Sequence, residues 1–257
     1  MMKEHFTYRT GHPLLEELKK YIYAHRGYHD KPQVPENSLA AFRRAAERGW
    51  GTEFDVHLLK DGNLVVFHDS DLFRCTGAEG TLEDLTLSEA KELRLEGTQE
   101  RIPTFDEVLS VCKNTPMIIE LKAFGRNHKA LAEAVCRRLD SVKTLFCLES
   151  FDPRAMAAVR KFRPDFVRGQ LASDFTKTPT EELAPWLGKF LSDLRLDFLS
   201  RPDFIAYKYE DRMREAVQKT IQRGVQEVSW TIAGKKDLER CLALGSIPIF
   251  ERFDPEV

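Results

Sequence analysis

Short apolar runs alternate with amphipathic segments along the whole chain. Runs with strand character lie at Tyr21–His25, Gly51–His57, Pro116–Lys122, Thr144–Glu149, Phe166–Leu171, Leu196–Ser200, Glu227–Thr231 and Ile247–Phe250. Between them, apolar residues recur at helical spacing around Ser38–Arg48, Phe105–Lys113, Lys129–Leu139, Arg154–Phe162, Glu181–Phe190, Glu210–Arg223 and Lys236–Leu244. The helix from Glu210 is predicted to bury Met213, Ala216, Val217 and Ile221 as one stripe. Helix starts carry their own signals. Thr104/Glu107 and Thr178/Glu181 have the spacing of a capping box, and Pro153 and Pro179 stand where a first helical residue would.

Repeated strand–helix alternation predicts a parallel sheet. Eight such strands in 257 residues favour a closed (β/α)8 barrel, a TIM barrel, over an open doubly wound sheet. No GxGxxG loop supports the open alternative. Residues 1–257 are read as a single barrel domain with one break in its rhythm. After the Asp61-Gly62 turn and the extended run Leu64–His68, residues 69–102 hold Gly77, Gly80, Gly97 and a short capped helix at Thr86–Glu89. This is read as a small insertion after the second strand, placed over the barrel mouth, where barrel active sites lie.

The parity of two strands brings in the chemistry. In Gly51–His57, Glu53 and Asp55 share one face while Phe54 and Val56 take the other. In Pro116–Lys122, Glu120 and Lys122 repeat that spacing. Buried like charges are costly without a counter-charge. A salt-bridge network with Lys122 and Arg26 would supply part of it. Three inward carboxylates point instead to a hard divalent cation held by oxygen, Mg2+, Ca2+ or Mn2+. His25-Arg26-Gly27 and His68-Asp69 each end an apolar run, and Gly27 permits a sharp turn or close backbone approach. His57 shares the parity of Asp55 and is left as a lining residue. Glu149 closes its strand, where it either faces the mouth or is a solvated loop acid. Trp230 is either core or an aromatic wall.

Composition narrows the partners. Lys plus Arg is 39 and Asp plus Glu is 41, a net charge of −2, which argues against nonspecific nucleic-acid binding. Met1–Lys20 contains no apolar leader core, and no stretch approaches the ~20 apolar residues that span a bilayer. Five scattered cysteines without a CxxC pair read as reduced thiols of a cytoplasmic protein. Oligomeric state leaves no mark in the sequence.

Several ordered motifs together resemble the glycerophosphodiester phosphodiesterase family. They are His25-Arg-Gly27, Pro35-Glu-Asn-Ser38 running on to Phe42, Gly51–Val56, Lys60-Asp-Gly62, Val65–Asp69, Leu72–Thr76 with Gly80, Ile102–Leu109 and Ile118–Lys122. The similarity is dense over residues 21–123 and looser beyond. It implies a barrel of the phosphatidylinositol phosphodiesterase type. It implies metal ligation by Glu53, Asp55 and Glu120, His25 and His68 as the acid/base pair, and Arg26 and Lys122 on phosphate. Asn37 would support the His25-Arg26 loop. Trp230 matches a family tryptophan near the alcohol pocket. The implied reaction is metal-dependent hydrolysis of a glycerophosphodiester to glycerol 3-phosphate and an alcohol. Phospholipase D action on lysophospholipids is the alternative within enzymes. A non-catalytic phosphodiester-binding protein is the alternative outside them, disfavoured because neither histidine nor any carboxylate is missing. The chain departs from the family at its last strand, where Glu251 and Arg252 stand in place of a Thr-Asp pair; this departure is expected to bear on the alcohol end of the substrate and to leave the catalytic half intact.

Overall fold

A computed structural model describes residues 7–177 and 183–256. Eight parallel strands close on themselves: β1 (Tyr23–Ala24), β2 (Gly51–Leu58), β4 (Met117–Leu121), β5 (Phe146–Ser150), β6 (Arg168–Ala172), β7 (Phe204–Lys208), β8 (Gln226–Ile232) and β9 (Ile247–Phe250). Closure comes from β1, which pairs with β9 on one side and β2 on the other. The short β3 (Leu64–Val66) lies antiparallel on the last residues of β2, outside the ring. Helices α2 (Leu39–Glu47), α6 (His128–Leu139), α7 (Pro153–Phe162), α10 (Glu215–Gln222) and α11 (Lys235–Ala243) fill crossovers. The longer crossover from β2 to β4 carries β3, α3 (Phe73–Thr76), α4 (Leu87–Glu92) and α5 (Phe105–Val111).

Strand parity sorts the residues. Phe54, Val56, Ile119 and Leu121 point outward into a core shared with Phe42, Phe105, Val108, Leu131 and Met156 of the helices. Burying each such side chain stabilises the fold by about 1.5–3 kcal/mol. The inward residues fill the lower barrel with Tyr23, Ile118, Phe204, Val228 and Ile247. There the Phe204 ring lies across Gly169 so closely that a Cβ at 169 would stand 2.0 Å from it. The barrel floor is therefore packed, and only its upper layer is left for polar groups.

Caps fix where helices begin. Thr104 and Glu107 exchange reciprocal hydrogen bonds at the start of α5, as Thr86 and Glu89 do at α4. Each N-cap is worth about 1 kcal/mol. Asp152 accepts from the Arg154 amide with Pro153 at the first helical position. The expected box at Thr178–Glu181 lies outside the described residues; α8 (Pro185–Ser192) follows them.

Two sequence expectations are corrected. The run Leu196–Ser200 is no strand: Asp197–Ser200 forms the short helix α9, and the seventh barrel strand is Phe204–Lys208. Leu196–Ser200 has no β-branched residue, whereas Phe204-Ile-Ala-Tyr has the aromatic and branched content a buried strand uses. The helix expected from Glu210 begins at Glu215, after a 3-10 turn at Tyr209–Asp211. Met213 is thereby 69% exposed, while Val217 is buried and Ile221 packs beside it. Two short helices, α1 (Pro13–Leu18) and α3, lie outside the sequence expectation.

Candidate active site

The strand ends of β1, β2, β4 and β5 meet in one cavity. It is lined by His25, Arg26, Glu53, His68, Glu120, Glu149, Phe151, Leu171, Trp230 and Ile249. Glu53, Asp55 and Glu120 are all buried, and each offers an oxygen within 4.8 Å of the others. β2 and β4 run in register with Asp55 opposite Glu120, and Glu120 is opposite Glu149 on β5. Neighbouring strands thus place acids side by side on the inward face.

The electrostatics show the cost of that placement. Burial and then the Asp55 and Glu120 charges push Glu53 well above the usual carboxylate range. Burial raises Glu120 to about 7, with Lys122 opposing and Asp55 adding. Burial also works against Asp55, but Lys122, His68, Arg26 and the Asn37 amide hold it well below its ordinary value. Lys122 Nζ lies 3.0 Å from Glu120 Oε1 and 3.5 Å from Asp55 Oδ1. Two cations do not balance this acidic set. The all-oxygen donors fit a hard divalent cation, which would relieve their repulsion.

The loop after β1 brings Arg26 against the acids. Arg26 and Gly27 both have positive φ, 54° and 78°. A Cβ on Gly27 would stand 2.8 Å from the Ala41 Cβ of α2, so only glycine fits that approach. The Arg26 amide donates to Glu53 Oε2 at 3.1 Å, and its guanidinium donates to Glu36 Oε1 at 2.9 Å. Asn37 donates its backbone N–H to the Arg26 carbonyl and its side-chain amide to Asp55 Oδ2 at 2.8 Å. It braces the loop and a member of the acidic cluster together.

Both histidines are held through Nδ1. His25 Nδ1 lies 2.8 Å from Glu251 Oε2, and His68 Nδ1 pairs with Asp69 Oδ1. His25 Nε2 lies 3.9 Å from Glu53 Oε2. Burial lowers the proton affinity of both rings, with the Glu251 and Asp69 contacts opposing it. His57 does not line the cavity: its Nδ1 lies 2.6 Å from Glu83 Oε1 and its Nε2 3.2 Å from the His68 carbonyl. It ties the segment after β3 to β2.

Glu149 is 1% exposed and is no solvated loop acid. Burial, then Glu120 and Asp55, raise it well above the usual range, and its Oε2 has no partner. Trp230 packs edge-on against Phe151, with ring centroids 5.6 Å apart, and its Nε1 is also unpartnered. A buried acceptor and a buried donor thus stand free in one cavity wall.

Sequence reasoning missed Glu251 as a site residue. The departure at the last strand was expected to leave the catalytic half untouched, yet Glu251 reaches His25. The signal was its position at the C-terminal end of β9, the strand beside β1.

A model of the Glycerophosphoryl diester phosphodiesterase family matches residues 25–251. The chain belongs to this family. A glycerophosphodiester phosphodiesterase from Caldanaerobacter subterraneus subsp. tengcongensis is 32% identical over 239 residues, covering 89% of this chain and 92% of that protein. Glycerophosphodiester phosphodiesterase 1 of Homo sapiens is 29% identical, covering 81% of this chain and 70% of that protein. Among solved structures, a glycerophosphodiester phosphodiesterase from Thermotoga maritima superposes with a TM-score of 0.66 at 27% identity, covering 90% and 94% of the two chains. An Oleispira antarctica phosphodiesterase, solved with its product sn-glycerol-3-phosphate, gives a TM-score of 0.77 at 24% identity and covers 95% of each chain. Its likeness concerns the fold.

Proposed function

We propose that this chain is a glycerophosphodiester phosphodiesterase that cleaves its substrate to glycerol 3-phosphate and an alcohol, with one divalent cation, Mg2+ or Ca2+, held by Glu53, Asp55 and Glu120. The observation that carries this reading is the buried, mutually close trio of carboxylates, two of which line one cavity with two carboxylate-anchored histidines. The same oxygen donors also accept Mn2+.

Each protein group has a task its surroundings suit. Arg26 and Lys122 carry positive charge beside the acids and bind phosphate oxygens. His25 and His68, anchored at Nδ1, present Nε2 to the substrate. One withdraws the proton of the attacking oxygen and the other protonates the departing alkoxide, a pairing worth ~10²–10⁴ in rate for each group. A bound cation supplies charge to the phosphate oxygens as negative charge develops there. Glu149 Oε2 and Trp230 Nε1 are the free acceptor and donor that a hydroxylated alcohol, such as glycerol, would satisfy, and Phe151 completes the wall.

Among the described residues no helix is long and apolar enough to cross a membrane. All five cysteines are free and buried, which suits a cytoplasmic setting.

The test is turnover of a glycerophosphodiester panel with Mg2+ or Ca2+, with and without chelator. His25→Ala and His68→Ala should each abolish most turnover while the protein still binds the ion. Near-native turnover in either variant, with metal bound, would remove that histidine from proton transfer.

A further inference from the structure

A line of charged contacts runs behind the cavity wall and joins two groups of the reaction. Arg74, on α3, donates from Nε to Asp69 Oδ2 and from Nη2 to Glu36 Oε1, the latter at 2.6 Å. The other oxygen of Asp69 holds His68 Nδ1. The same Glu36 oxygen holds the Arg26 guanidinium at 2.9 Å. The series His68, Asp69, Arg74, Glu36, Arg26 is unbroken. Its ends are the side chains assigned to proton transfer and to phosphate. It also joins two separate loops, the one after β1 and the one after β3, between which no backbone hydrogen bond runs among the described residues.

The Arg74 side chain is 43% exposed, so packing gives little reason for its fixed place. One edge of its guanidinium is split between two carboxylates: Asp69 turns its other oxygen to His68, and Glu36 shares Oε1 between Arg74 and Arg26 while Oε2 meets Lys31. We propose that Arg74 is a positioning residue that sets the distance between the His68 imidazole and the phosphate held at Arg26. Asp69 has no other cation than Arg74 and His68 among its ion pairs in the described residues, so it loses its anchor when Arg74 is removed. Glu36 keeps Lys31, but that ammonium is shared with Glu96 and draws it toward a different loop. Lysine at 74 would have to meet both carboxylates from one nitrogen and loses the separate Nε and Nη2 directions that set Asp69 and Glu36 apart. In keeping with this arrangement, the Arg74 contact helps hold Glu36 and Asp69 well below their ordinary carboxylate range, against the upward push of burial.

The inference rests on the roles given above to His68 and Arg26, and the test separates the two. Steady-state kinetics of the full chain, with saturating Mg2+ and glycerophosphocholine as probe, compares wild type with Arg74→Ala, Arg74→Lys, Asp69→Asn and Glu36→Gln. His68→Ala and Arg26→Ala serve as controls. Arg74→Ala should lose on the order of 100-fold in kcat/KM, the scale of a displacement near 1 Å at reacting groups. Both kcat and KM should move, while the chain stays folded because the buried Glu36 keeps Arg26 and Lys31 as partners. Asp69→Asn should act chiefly on kcat and Glu36→Gln chiefly on KM. The double variant Arg74→Ala/Asp69→Asn should be no worse than its more damaging single, because the two belong to one unit. Guanidinium ion added at millimolar strength should restore part of the Arg74→Ala activity and none of the His68→Ala activity. The proposal is overturned if Arg74→Ala stays within about threefold of wild type, if Arg74→Lys is fully active, or if the double variant is simply additive. If the control variants themselves keep their turnover, the assignment of the site fails instead.

Discussion

Replacing Glu251 tests how much of the catalysis depends on the orientation of His25. In the folded chain Glu251 Oε2 accepts from His25 Nδ1 at 2.8 Å, and His29 Nε2 approaches the same oxygen at 3.9 Å. The two histidine contacts hold Glu251 well below the usual carboxylate range even though burial pushes it up. The carboxylate does two things for His25. It fixes the ring with Nε2 toward the cavity, and it stabilises the imidazolium formed when the ring takes a proton. A hydrogen bond to a charged partner is worth about 1.5–3 kcal/mol. If the full interaction is made only as the ring becomes charged, its loss lowers kcat by about 10- to 100-fold. Glu251→Ala should therefore fall in that range. Glu251→Gln keeps an acceptor oxygen of the same reach but no charge, and should lie between wild type and Glu251→Ala. The assay is kcat and KM at saturating divalent ion, with the ion's affinity titrated separately. Glu251 is not among the three clustered acids, so ion affinity should barely change. Wild-type kcat in Glu251→Ala, at equal ion affinity, would refute the reasoning.

Other perturbations reach different parts of the account. Glu149→Gln keeps the shape of the cavity wall and removes an acid that its neighbours already repel; it should raise KM for diesters with a free glycerol diol more than for diesters lacking one, and an equal effect on both would dismiss Glu149 from alcohol recognition. Asp197 tests the coupling of stability to pH. Burial raises its pKa from 3.8 to about 7, against the Tyr8 hydroxyl bond, which lowers it. The folded chain then holds a proton that the unfolded chain releases, so stability falls as pH rises from about 4 to about 7 and is level above, a loss of up to about 4 kcal/mol. Asp197→Asn can still accept from Tyr8 and should remove that slope; melting curves that stay parallel across this pH range would contradict it.

Much of the fold was legible because strand parity and helix caps are local. Glu53 and Asp55 alternate with Phe54 and Val56, and that alternation alone separates barrel interior from helix-facing core. Thr104 and Glu107 mark a helix start within four residues. The seventh strand was misplaced because Leu196–Ser200 is apolar enough for a strand. What makes it a helix is tertiary: Tyr8 donates to the buried Asp197, and the Asp203 amide joins β6 through the Arg168 carbonyl. Of the acids and histidines of the site, His25, His68 and Glu120 were visible because they stand at or just past a strand end, Glu53 and Asp55 because they interrupt an apolar strand. Their partners were not. Glu251, Arg74 and Glu36 act across sequence separations that only barrel closure and the β3–α4 segment bridge. Glu149 stayed ambiguous because a strand-end acid reads alike whether it turns inward or outward, and only its register with Glu120 decides.

The central claim is that Glu53, Asp55 and Glu120 together hold one divalent cation that turnover requires. Calorimetric titration of the chelator-stripped chain with Mg2+ and with Ca2+ tests it most directly. One ion per chain should bind, Glu120→Gln should bind at least about tenfold more weakly because ligand charge sets affinity, and activity should return in proportion to occupancy. Undiminished affinity in Glu120→Gln, or full turnover in the stripped chain, would contradict it.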